Sequence, residues 1–143
     1  MRMNKLIGLM FVVYLFSAGC GLNDEVTTHI VEGSATGPMS VNVSDGNTLS
    51  QPIYTWSDGG PTLATKVTVS RASDTATAVW EVYSTATLDD ISSPVTHGTV
   101  PTTGSSTAIA SPEINLQDNI WYEVKITKLD VTKTSTRQFL IEP

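Results

Sequence analysis

Few side chains in this 143-residue sequence combine the type and spacing that chemistry requires. The histidines are His29 and His97, far apart, and neither has a nearby cysteine or a metal-spaced carboxylate. A zinc site needs three or four converging ligands, so no metal site is expected. Asp89 and Asp90 are adjacent carboxylates. Two carboxylates can share acid and base duty, but side chains at i and i+1 diverge on an extended strand. A solvated turn is their expected setting. Serine and threonine are abundant, yet no base is spaced to activate one as a nucleophile. The chain has no Gly-x-Ser-x-Gly elbow, no His-Glu-x-x-His and no phosphate-cradling glycine loop. A hydrolase using Asp89, Asp90 or His97 is therefore the most remote of the functions considered. No cofactor is expected.

Cys20, the single cysteine, stands in a more informative context. Arg2 and Lys5 begin the chain, Leu6 to Phe16 form an apolar run, and Ser17-Ala18-Gly19 lead into the thiol. That order is a secretory signal. The run is about eleven residues, too short for a membrane span, which needs about twenty. Ser17-Ala18-Gly19-Cys20 resembles the lipobox of bacterial lipoproteins, although Ser17 stands where leucine is usual. The resemblance implies that Cys20 receives a diacylglycerol, becomes the mature N-terminus and fixes the protein to a membrane. An ordinary signal peptide would instead leave an unpaired thiol in an oxidising space, a liability. Gly21 follows the cysteine where aspartate would resemble an inner-membrane retention signal, so the outer membrane or cell surface is favoured.

Removing residues 1–19 leaves six Lys and Arg against fourteen Asp and Glu, a net charge of −8. Such a surface repels nucleic acid and anionic head groups. Threonine, serine and valine dominate, as suits pleated, half-buried surfaces. No mature segment keeps an apolar period near 3.6 for three turns. The expected class is all-β.

The alternation marks the strands. Ser40 to Ser44 alternates and Asp45-Gly46 turns it; Pro52 to Ser57 follows with Tyr54 and Trp56 on one face. Lys66 to Arg71 puts Val67 and Val69 inward and Lys66, Thr68 and Ser70 outward. Ala78 to Ser84 is the next strand, and Pro94 to Val100 an edge strand, since proline is confined to strand starts and edges. Trp121 to Thr127 sets Tyr122, Val124 and Ile126 opposite Trp121, Glu123, Lys125 and Thr127. Thr134 to Ile141, with Phe139 and Ile141 on one face, is the last. About seven strands at these spacings predict a single β-sandwich.

Leu116-Gln-Asp-Asn-Ile-Trp-Tyr122-Glu-Val-Lys-Ile126 is similar to the leucine, turn and tyrosine of fibronectin type III domains. Trp56 followed by the alternating Lys66 to Arg71, and Asp130 to Phe139, resemble that family's second, third and final strands. The resemblance implies an immunoglobulin-like sandwich in which Tyr122 forms a tyrosine corner, its hydroxyl bonded back to the turn. Residues 1–19 are then a signal peptide, 20–38 a lipidated cysteine with a tether and N-terminal arm, in which β-branched Val26 to Glu32 is an early strand or an extended arm, and 39–143 the sandwich. With Tyr122 inward, Trp121 must face outward, and alternation places Trp80 and Tyr83 on opposite faces. Trp121, with Trp80 or Tyr83, is the candidate ligand platform. Such rings stack on sugars or anchor protein contacts. The expected function is a non-catalytic, lipid-anchored module binding an envelope protein in an adhesive or structural role. Recognition of a polysaccharide is the alternative.

Overall fold

The computed structural model describes residues 29–60, 63–101, 107–110, 113 and 115–143. The signal segment and Cys20 lie outside the described residues. Within them the chain forms β1 (His29–Thr36), β2 (Ser40–Ser44), β3 (Ile53–Ser57), β4 (Leu63–Ala64), β5 (Lys66–Arg71) and β6 (Asp74–Ser84). These are followed by β7 (Ile91–Ser92), β8 (Val95–Thr96), β9 (Thr107–Ala110), β10 (Trp121–Thr127) and β11 (Ser135–Glu142). Seven of them run five residues or more. A single 3₁₀ turn, Val131–Lys133, is capped by Asp130, whose side chain accepts from the Thr132 N–H.

The fold is an all-β sandwich of antiparallel sheets. A six-stranded sheet has the order β1-β11-β10-β5-β6-β9, and a three-stranded sheet the order β2-β3-β8. A short β4–β7 ladder flanks them. Period-two alternation explains the layers. In register, Val124 faces Val69 and Ile126 faces Val67, and all four side chains are fully buried. From the smaller sheet come Val41, Val43, Tyr54 and Trp56. Tyr54 meets Phe139 with ring centroids 5.9 Å apart and Trp80 at 6.2 Å, and Phe139 stacks on Tyr122 at 5.7 Å. Each fully buried ring of this size stabilises the fold by roughly 1.5–3 kcal/mol.

The sandwich begins earlier than the sequence suggests. The arm expected over 20–38 contains β1, which pairs along β11 from His29–Glu142 to Thr36–Thr136. Of the early strand and the extended arm read over Val26 to Glu32, the described part, from His29, is a strand, and it runs on to Thr36. A bulge places Gly33 and Ser34 opposite Gln138. Gly37, with φ +92°, then swings the chain from the larger sheet to β2. A side chain there would collide with the Thr134 carbonyl and Ser135.

Side chains close the seam between β1 and β2. Ser135 Oγ accepts from the Met39 N–H at 2.8 Å and Glu32 from the Val43 N–H at 2.6 Å, while Arg137 Nε donates to the Val41 carbonyl at 2.8 Å. Asp45 accepts from the Ile30 N–H. The Met39 N–H, the Val41 carbonyl and the Val43 N–H are thus taken up without another strand.

Candidate functional site

His97 lies at the end of β8, just beyond Thr96, and is completely buried. Its Nε2 is 2.7 Å from the Glu113 carbonyl, which can only accept, so Nε2 carries the proton. Nδ1 therefore accepts from the Tyr54 hydroxyl at 2.9 Å. The Trp80 ring lies tilted against it, centroids 4.8 Å apart. Burial pushes the His97 pKa down to about 4 against an upward pull from the Glu113 carbonyl, and burial raises that of Tyr54. A neutral imidazole with both nitrogens occupied is a structural tie between β3, the end of β8 and the segment at Glu113.

The acidic pair is not a solvated turn. Asp89 Oδ1 accepts from Thr65 Oγ1 at 2.6 Å and from the Leu129 N–H at 2.8 Å. Both Asp90 carboxylate oxygens are buried without a hydrogen-bond partner. Asp89, Asp90 and His97 share no hydrogen-bond partner among the described residues. Nearby, Lys128 Nζ reaches Asp58 Oδ2 at 2.6 Å, and this bond holds the Asp58 carboxyl below the usual carboxylate range. No group of three or more His, Cys, Asp or Glu able to hold a metal ion occurs among the described residues.

The aromatic platform is divided. Trp80 sits directly opposite inward-facing Val69 and is fully buried, so it is core and not part of any platform. Alternation separates Trp80 from Tyr83 but does not say which faces in; the Val69–Trp80 register decides it. Trp121 and Tyr83 do share the outer face of the six-stranded sheet, Trp121 being 42% exposed. They stand at opposite ends of it. Trp121 lies level with Ala72, whose N–H bonds the Trp121 carbonyl, whereas Tyr83 pairs with Lys66, opposite Thr127. Strand rise and spacing separate them by roughly 20 Å. The benzo ring of Trp121 occupies the space that a side chain at Gly33 would need, 2.6 Å from an ideal Cβ. Between the two rings runs a trough of about 460 Å³ whose lining includes Lys66, Thr68, Ser70, Glu81, Glu123 and Lys125.

Tyr122 makes the bond that the corner motif implies. Its hydroxyl accepts from the Gln117 N–H at 3.0 Å, across a turn in which Asn119 takes φ +59°.

Sequence reasoning missed the opposite end of the sheet. Leu88, Leu129 and Val131 are 53%, 58% and 71% exposed. They sit on two connections joined by the Asp89–Leu129 bond. Asp89 and Lys128, the sequence neighbours of Leu88 and Leu129, line a recess of about 410 Å³ with Asp58, Gly59, Gly60, Leu63 and Lys133, while Val131 borders the outer-face trough. Isolated exposed residues in polar loops carry no periodic signal, so no sequence pattern announced them. Compared with family models, curated proteins and solved structures, the chain matches none.

Proposed function

We propose that this chain is a non-catalytic lipoprotein of the bacterial cell envelope, held by acylated Cys20 and acting by presenting its sandwich to another envelope component. The observation that carries the reading is how the reactive groups are used. His97, Tyr54, Asp58, Lys128 and Asp89 are committed to bonds that tie the fold together. The outer sheet face and the loop end stay open. The order β11-β10-β5-β6-β9 beside β2-β3-β8 agrees with the plan of immunoglobulin-like sandwiches, in which the final, penultimate and third strands share a sheet. With the Tyr122–Gln117 bond it supports the fibronectin type III resemblance. The signal segment and its cysteine support attachment, and two or more acyl chains hold a protein stably where one does not.

A partner protein is the favoured ligand. The exposed ring of Trp121 favours polysaccharide recognition as the second reading, with Trp121 acting without Trp80. Two measurements test these. Mass spectrometry of the native N-terminus is expected to find acyl mass on Cys20, and an unmodified cysteine would refute the anchor. On a glycan array, sugar binding that disappears in Trp121→Ala while the fold survives would replace the first reading with the second.

A further inference from the structure

The strand directions fix where the two ends of the sandwich lie. β1 enters at His29, which pairs with Glu142, and β10 starts at that same end with Trp121. β10 then runs to Thr127, and the 128–134 connection lies beyond it at the far end. β6 also ends there, leading to Leu88, and β3 ends there, leading to Asp58. β11 alone is eight residues long, a separation of roughly 25 Å. The segment from Cys20 to His29 has eight intervening residues and reaches at most about 30 Å. It joins the domain at the end opposite Leu88, Leu129 and Val131.

We infer that the loop end carrying Leu88, Leu129 and Val131 is the docking surface for a basic protein partner that stands farther from the membrane than the domain itself. This rests on the lipid-anchored reading. Three exposed aliphatic side chains at this end, Val131 bordering the outer-face trough, are apolar anchors of the kind that lose their water when a partner covers them. The rim chooses the partner's charge. Asp58, Asp89 and Asp130 stand there against Lys128 and Lys133, so carboxylates exceed cations by one, and the ammonium of Lys128 is already paired with Asp58. That net negative rim steers cationic surfaces in and turns anionic ones away. It also disfavours insertion into an anionic lipid face. The presenting loop is held under tension, because Thr87, a β-branched residue, takes φ +56° next to Leu88.

The test places a photo-crosslinking amino acid at position 131, or at 88, in the full chain expressed in the bacterial envelope. Position 73, in the β5–β6 turn at the tethered end, is the control. Protein adducts are expected at 131 and 88 but not at 73. The attached peptides should pair Lys or Arg with a large apolar residue, and adduct yield should fall several-fold in high salt and in Asp130→Asn. Adducts to phospholipid, equal yields at 73, acidic peptides, or no adduct at all would overturn the inference. Acyl mass on Cys20, read from the same preparation, separates the failures. Its absence refutes the anchor alone, whereas its presence with no position-dependent adduct refutes the docking surface.

Discussion

Lowering the pH from 7 to 5 is expected to remove about 2 kcal/mol of unfolding free energy through His97 alone. The ring is buried between Tyr54, Trp80 and the Glu113 carbonyl, and its pKa falls from the ordinary 6.5 to about 4. Between those two values the unfolded chain binds a proton that the folded chain refuses. Stability from this group is therefore intact above 6.5, declines as pH drops, and levels off below about 4 after a total loss of about 3 kcal/mol. Stopping at pH 5 keeps largely clear of carboxylates. Asp58 and Asp130, held below their usual range by Lys128 and Thr132, keep their contribution until more acid conditions. Urea unfolding at pH 7, 6 and 5 supplies the measurement, with His97→Gln as the comparison. Glutamine retains a donor for Glu113 but does not titrate, so its stability, lower at neutral pH, should vary much less across this window. An equal decline in both proteins, or an NMR titration of His97 centred near 6.5 in the native protein, would refute the assignment.

Three further outcomes follow from particular bonds and dihedrals. Tyr122→Phe should cost about 1 kcal/mol by removing the acceptor for the Gln117 N–H, and an unchanged unfolding midpoint would argue against the corner. Thr87→Asn should raise stability by about 1 kcal/mol, because asparagine tolerates the left-handed conformation; a lower urea midpoint would contradict that backbone geometry. Gly33→Ala should force the Trp121 ring to move and cost about 1 kcal/mol. Since Trp56 and Trp80 are buried, iodide quenching reports mainly on Trp121, and an unaltered quenching curve would show that the ring does not rest there.

The parts of the fold legible in sequence were those written in local alternation. Val67, Val69, Tyr122, Val124, Ile126, Phe139 and Ile141 face the interior as their period-two spacing requires. What escaped depended on distant partners. β1 continues past Glu32 to Thr36 because β11 accepts it, and His97 is interior because Tyr54, 43 residues earlier, supplies a hydroxyl. The strand read from Ala78 is longer as well: the hairpin turns at Ala72-Ser73, and β6 starts at Asp74. Extra residues bulge β6 between Asp74 and Ala78, which local propensity does not report. Of the three proposed platform rings, Trp121 and Tyr83 share the outer face and Trp80 does not, because alternation sorts residues into two faces without saying which is wet.

Molecules confined to a membrane surface meet one another far more often than the same number free in solution, and an unpaired strand invites its neighbours to extend it. In this sandwich Ser135, Arg137 and Glu32 occupy those sites along β2, with Arg137 turned inward among them. Along β2 a neighbouring strand therefore finds the Val41 carbonyl and the Val43 N–H already engaged. Under the anchoring proposed above, a side closed in this way leaves contact between crowded copies to other parts of the surface.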